Sequence, residues 1–363
     1  MSKAAASVLM VIRDSGGGSQ AGDVVHLRYI EAFLRERFAV VETLRLRPAG
    51  KVSRVLSMLG GLWPSEMTGY VNAANRKRLV EALSQQAYDY VYLLHECLFP
   101  YSAEVRQTGA HCVLFAMNSP SSLCATDPSP LQRALAPLPF AFERRYFVAP
   151  NATLLPVSRA DARWLRSHGF PGQHFPIAPP GALPPKLLRA EARISRELVV
   201  TGSYDWWRKR RDLRAFAKDS PDLPIIVNDA LAQRLLGPRA VLTDAKDVDW
   251  AGALRFGVIT DRFTAGFKLK SLEYVANNCV ILSLTDIRAD YEGLPYWETF
   301  VRVVSGASGL QRAIDEICAE PEPVLLEQFR QFQAACTFRF EWQRCLVPFA
   351  PPFTPQPDFD DAP

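Results

Sequence analysis

No two of the seven cysteines in this 363-residue chain are spaced Cys-x-x-Cys, and none has histidines at zinc-ligand spacing. An odd, scattered set argues against a disulfide framework or a structural zinc site and reads as reduced thiols in a cytoplasmic protein. An excess of either charge is also missing. Lysine and arginine number 42 against 38 acids, for a net charge of +4 and a pI near 8.7. That is too mild to call for nucleic acid. No window approaches the roughly 18 apolar residues of a membrane span. The opening "MSKAAASVLMVIRDSGGG" has a short apolar run, but Arg-Asp and glycines follow it instead of a cleavage-like site, so it reads as a first strand rather than a signal peptide. No repeat of solenoid length is present.

What the chain has is alternation. Hydrophobic residues make up 48% of it, enough for two domains with a core each. "SVLMVI", a glycine loop and the helical pattern "DVVHLRYIEAFLRER" come first. The strands "FAVVETLRL", "YDYVYLLHE", "HCVLFAMNSP" and "ATLLPVS" follow, with "NAANRKRLVEALSQQA", "AEVRQTGA" and "RADARWLRSHG" as helices among them. Strand and helix in turn predict a parallel sheet covered on both faces. "FPGQHFPIAPPGALPPK" has no period and is dense in proline and glycine, which marks a linker. Beyond it the alternation restarts with "ELVVTGSY", a helix from about Trp207 to Ala217, "LPIIVN", "AVLTDA", "RFGVITD", the helix "LKSLEYVANN", "CVILSL" and "FVRVVS". The expected division is 1–185, 186–330, a returning helix over 331–347, and a proline-rich acidic tail over 348–363. Ligands of doubly wound sheets sit at strand carboxyl ends, so two such domains would frame a cleft.

The stretch "TAGFKLKSLEYVANNCVILSL" carries the most chemistry. Gly266 follows a strand and Lys268 opens a helix, which puts N–H groups, Lys268 and Lys270 where a pyrophosphate could sit. Glu273, one turn on, can accept from ribose hydroxyls. As an isolated Lys-x-Lys this would be no more than a solvated helix start.

"AGFKLKSLEYVANNCVILS" resembles the donor-binding motif of family-4-like glycosyltransferases of the GT-B fold. "VVTGSYDWWRKRRDLRAF" is similar to the first strand and turn of that family's C-terminal domain. "FRFEWQRCL" resembles its late crossing helix, and "IRDSGGGSQAGDVVHLRYIEAFL" its N-terminal glycine loop. In order, these cover about residues 7 to 346. The resemblance implies two Rossmann-like, doubly wound parallel-sheet domains facing across a cleft, and transfer of a sugar from a nucleotide diphosphate-sugar, UDP- or GDP-linked, to an acceptor hydroxyl. It implies retention of configuration, no required metal or cofactor, and a role in glycan or polysaccharide assembly. Lys270 would meet the phosphates and Glu273 the ribose, with Lys268 and Gly266 beside them. Gly202 and Ser203 would let the chain approach the donor, and Arg208 or Lys209 would add a cation at the leaving diphosphate.

Two departures stand out. Ala265 occupies the place where many relatives carry a second glutamate. Asn118 ends the strand where they tend to carry a histidine, so the catalytic role falls between Asn118 and His95, which ends the preceding strand beside Glu96. Gly16, Gly17 and Gly18 permit close backbone approach, and Asp14, Asp23 and His26 flank them as acceptor ligands or as caps and helix residues. Lys51 and Arg54 stand among Val55, Leu56, Met58, Leu59, Leu62 and Trp63, a pattern that fits either a packed amphipathic helix or peripheral contact with the inner face of a membrane. The acceptor could be a glycan, a lipid-linked sugar or a small molecule. Two other functions compete: an inactive fold that senses nucleotide-sugars or assists assembly, and a sugar-nucleotide epimerase or oxidoreductase. Ala21 weakens the latter, since it stands where the dinucleotide fingerprint needs a third glycine.

Overall fold

The computed structural model of the protein describes residues 4–14, 22–50, 69–170, 175–351 and 353. The chain divides into two compact units. Unit 1 comprises Met1–Pro180, Ala265–Phe267 and Trp342–Pro363, and unit 2 comprises Gly181–Thr264 and Lys268–Glu341.

Unit 1 is built on five strands: β1 (Ala4–Arg13), β2 (Phe38–Leu46), β3 (Tyr90–Leu94), β4 (His111–Ala116) and β5 (Ala152–Pro156). They lie in the order β2-β1-β3-β4-β5, and every pairing is parallel. Parallel strands joined by helices are buried on both faces, which is why these segments read as continuous apolar runs rather than alternating ones. One face packs Leu9, Val11, Val91, Leu93 and Leu114 against Phe99, Phe142 and Phe147. The other packs Val8, Met10, Tyr92 and Phe115 against Ile30 and Leu34 of the helix Gly22–Arg37 and against Leu346 and Phe349. Leu346 and Phe349, which follow the second sheet in sequence, are therefore part of this core. The Tyr92 hydroxyl donates to the Phe349 carbonyl beneath it.

Unit 2 has six strands, β6 (Arg193–Val200), β7 (Ile225–Val227), β8 (Ala240–Leu242), β9 (Ala253–Ile259), β10 (Cys279–Ser283) and β11 (Val301–Val303), ordered β11-β10-β9-β6-β7-β8 and all parallel. The expectation of two doubly wound parallel sheets is met. Short helices over Pro120–Ala125, Pro130–Ala134 and Pro137–Tyr146, and the longer ones over Gly306–Cys318 and Glu322–Arg339, add to the elements read from the sequence. In each of the first three a proline at the start supplies the preset φ of a first turn.

All seven cysteines are free, and six are buried. Among the described residues no helix is long and apolar enough to cross a membrane.

One packing detail links this core to the chemistry. Gly257, in the middle of β9, leaves room for the Tyr274 ring to lie on the strand, and a Cβ at Gly257 would clash with that ring. The Tyr274 hydroxyl then accepts the Thr201 N–H at 3.1 Å and donates to the Val258 carbonyl at 3.0 Å. The ring thereby fixes the helix Leu269–Ala276 over β6 and β9. Replacing Gly257 with Ala overpacks this contact and should destabilise the protein by about 1–3 kcal/mol. Urea unfolding of the variant measures this, and an unchanged midpoint would show that the ring is not wedged there.

Candidate functional site

In unit 2 the chain lays β6, β7 and β8 outward in one direction and β9, β10 and β11 in the other, so the strand order reverses between β6 and β9. Crevices at such reversals are where doubly wound sheets hold ligands. Thr201 and Gly202 leave β6 at this point, Thr260 and Asp261 leave β9, and the helix Leu269–Ala276 starts beside them. That helix has no side-chain cap and no acid in its first turn.

Lys270 is the centre of the group. Gly202 holds φ at 108°, a conformation open to glycine, and a Cβ there would stand 2.7 Å from Lys270 Cε. The missing side chain is what lets the lysine lie against the β6 turn. Its ammonium donates to the Tyr204 hydroxyl at 3.4 Å and sits 4.7 Å from the centre of that ring. Burial works against the Lys270 charge, but Tyr204, Asp261 and Tyr274 more than offset it and raise its pKa above the ordinary lysine value. Lys270 is thus held charged. Glu273, one turn further along the same face and half-buried, has its carboxyl pushed up by burial and pulled down by Lys270.

The other expected donor residues divide. Gly202 donates its N–H to Asn228 Oδ1 at 3.0 Å, which ties the β6 turn to the end of β7. Ser203 is exposed and donates its hydroxyl to Asp205 at 3.0 Å. Lys268 is 8% exposed, 3.6 Å from Asp261 Oδ2, with its ammonium 4.2 Å from the centre of the Phe263 ring. Arg208 is buried, its guanidinium 4.9 Å from the Trp207 ring. Lys209 is half-buried and near enough to act on Asp261. Gly266 belongs with unit 1, where its N–H donates to Asp161 Oδ2 at 2.9 Å and its backbone closes on Met117 and Asn118.

A second group stands at the strand reversal of unit 1, between β1 and β3. His95 ends β3 at φ 150° and ψ 143°, a region that side-chain-bearing residues avoid at a cost of about 1–3 kcal/mol. Its Nδ1 accepts the Cys97 N–H at 3.3 Å and lies 3.4 Å from Glu96 Oε2. Glu96, 3% exposed, accepts the Met117 N–H at 3.1 Å and the Asn118 side-chain amide at 3.3 Å. The structure therefore brings His95 and Asn118 together, with Glu96 between them. Burial, aided by the charge of Arg13, drives the His95 pKa well down, so the imidazole is neutral. Burial pushes Glu96 up to about 7, against the pull of Arg13, Asn118 and Met117.

His26 is a core residue, 1% exposed, with the Phe115 ring 5.3 Å away. Asp14 pairs with Arg47 at 3.5 Å. Gly16, Gly17, Gly18 and the basic-apolar stretch over 51–63 lie outside the described residues, and Asp23 is placed only as part of the helix Gly22–Arg37. Three site residues escaped the sequence reading: Asp261, Tyr204 and Tyr274. The one signal for Asp261 is a carboxylate directly after the buried run of β9.

No family profile and no curated protein sequence matches the chain. Solved structures do. Sucrose-phosphate synthase from Thermosynechococcus elongatus aligns at a TM-score of 0.62 with 13% identity, covering 94% of this chain and 97% of that one. HepE of Anabaena, solved in complex with UDP, aligns at 0.60 with 12% identity over 94% and 98%. The lipopolysaccharide outer core galactosyltransferase WaaB aligns at 0.54 with 12% identity over 94% and 98%. The chain has the GT-B fold of these glycosyltransferases.

The buried carboxyl of Glu96 yields a test by pH. Its folded pKa, about 7, exceeds the ordinary 4.5, so the folded state binds its proton more tightly than the unfolded state. The contribution of Glu96 to stability should therefore fall as the pH rises from 4.5 to 7 and level off above, against the opposite slope that the lowered pKa of His95 gives. Glu96→Gln removes this dependence, and the gap between the two pH–stability curves should change by about 1–3 kcal/mol across that window. Parallel curves from urea titrations would contradict the assignment.

Proposed function

We propose that the protein is a glycosyltransferase that moves a sugar from a nucleotide diphosphate-sugar to an acceptor hydroxyl. The observation that carries this reading is Lys270, a charged ammonium at the strand reversal of unit 2, set against a glycine turn and followed one turn later by Glu273. The fold it shares with glycosyltransferases, one of them bound to UDP, supports the same reading.

In this account unit 2 holds the donor. Lys270 bonds the diphosphate, Glu273 accepts from the ribose hydroxyls, and Arg208 and Lys209 add positive charge as the glycosidic bond to the diphosphate breaks. Cations placed beforehand at a leaving group stabilise the charge that develops there, and here they take the part a divalent ion would otherwise have. The donor is a UDP- or GDP-sugar, and transfer retains the anomeric configuration. Unit 1 holds the acceptor at the end of β3. Neutral His95, its Nδ1 taken by the Cys97 N–H, carries its proton on Nε2 and is able to donate a hydrogen bond to the acceptor there, and Asn118, fixed by Glu96, orients it. We place the enzyme in the cytoplasm, where its free thiols persist, acting in glycan or polysaccharide assembly.

The test is a thermal-shift and calorimetric screen against UDP, GDP, ADP, CMP and TDP. A ligand of the folded state adds about 2.7 kcal/mol of stability at a hundredfold excess over its Kd. One nucleotide should raise the melting temperature of the wild type. Lys270→Ala should weaken its binding at least about tenfold, through loss of a charge-assisted hydrogen bond. Gly202→Ala should do the same by displacing Lys270, and Glu273→Ala should weaken nucleosides but not pyrophosphate. No stabilisation by any of the five at millimolar concentration would overturn the reading.

A further inference from the structure

Asp261 is an unexpected occupant of a phosphate site. It is 3% exposed, its Oδ2 lies 3.6 Å from Lys268 Nζ, and Lys270, Lys268 and Lys209 all act on its charge. Among the described residues no donor reaches its other carboxylate oxygen, Oδ1. A buried carboxylate usually has its oxygens satisfied by hydrogen bonds. This one is held by charge instead. The neighbouring Asp212 differs, since Arg211 pairs with it at 2.9 Å and the Arg262 N–H donates to it at 2.9 Å. Asp212 is thus matched locally, whereas Asp261 faces the lysines that the donor reading gives to the diphosphate.

A fixed negative charge repels an anion in proportion to the anion's own charge. A nucleotide diphosphate-sugar is a diester of pyrophosphate. The nucleoside diphosphate left after transfer has a terminal phosphate and carries additional negative charge near neutral pH. Lysines alone would hold that product more tightly than the donor. A carboxylate among them penalises the product more.

We propose that Asp261 is a specificity-determining residue that sets the charge of the diphosphate site so that it favours the sugar-bearing diester over the free nucleoside diphosphate. The role rests on the donor reading above and adds to it a means of releasing the product. Asp261 does not touch the ligand. It acts through the summed charge of the site, and Lys268, its buried partner, serves mainly to hold it.

The experiment measures calorimetric Kd values of UDP and UDP-glucose, and of GDP and GDP-mannose, on the wild type and three variants, and compares the diphosphate-to-sugar ratio for whichever pair the wild type binds. Asp261→Asn adds one positive charge and should shift the ratio about tenfold toward the free diphosphate, the scale of one unit charge acting over several ångströms at a partly buried site. Lys268→Met removes one and should shift it the other way. The double variant restores the charge and should return the wild-type ratio. If Asp261→Asn does not fold alone, the difference between Lys268→Met and the double variant still isolates the charge of Asp261 and decides the matter. Binding of one pair with ratios unchanged across the folded variants overturns the role of Asp261 and leaves the donor reading standing. Binding of neither pair to the wild type removes both.

Discussion

The contact between the Lys270 side chain and the backbone of Gly202 is the constraint on which the unit 2 site depends. It requires a residue without a Cβ at the end of β6 and a helix whose first turn reaches back to that point. It also requires that β6 and β9 be neighbours, so that Gly202 and the start of the helix Leu269–Ala276 meet. Each requirement has its own support. Tyr274 lies in the space that Gly257 leaves on β9 and bonds the Thr201 N–H, while Tyr204 lies beneath the ammonium. Burial would weaken the charge of an isolated lysine. The oxygens gathered around this one reverse that tendency, and the result is a cation that stays charged in a half-buried crevice.

The same logic, with the signs changed, runs through unit 1. There the strand reversal presents a neutral imidazole and a carboxyl titrating near neutral pH, both held by burial. His95 is kept in a costly backbone conformation, and such a residue persists where its surroundings over-determine it. The Cys97 N–H and Glu96 supply that determination on one side, and Met117 and Asn118 anchor Glu96 on the other. Unit 2 concentrates fixed charge, whereas unit 1 concentrates buried groups held neutral or close to it.

Much of this was legible in the sequence, and what was not has a physical reason. Strand and helix periods, the proline-rich linker and the Gly-x-Lys-x-Lys stretch identify two parallel-sheet domains and a candidate phosphate grip, because each is a local pattern. Lys270 and Glu273 could be named from such patterns, and Gly202 from the resemblance of its turn to that of a known family. Asp261 could not, since its importance arises only when β9 is placed beside β6 and three lysines converge on it, Lys268 and Lys270 at the start of the helix Leu269–Ala276 and Lys209 on the helix Trp207–Lys218. Tyr204 and Tyr274 read as ordinary apolar positions, and their hydroxyl bonds span β6 and β9. Glu96 was visible as a neighbour of His95, but its burial and its hold on Asn118 depend on the pairing of β3 with β4. Lys268 shows the reverse case: its spacing in the sequence suggests a phosphate ligand, while in the structure its ammonium is buried against Asp261 and Phe263.

The central claim is that a nucleoside diphosphate lies at the strand reversal of unit 2 with its phosphates on Lys270. A crystal structure of the protein soaked with the best-binding nucleotide tests this most directly. The account predicts phosphate oxygens within about 3 Å of Lys270 Nζ, and ribose hydroxyls on Glu273. Nucleotide density away from the β6 turn, with Lys270 still resting on Tyr204, would contradict it.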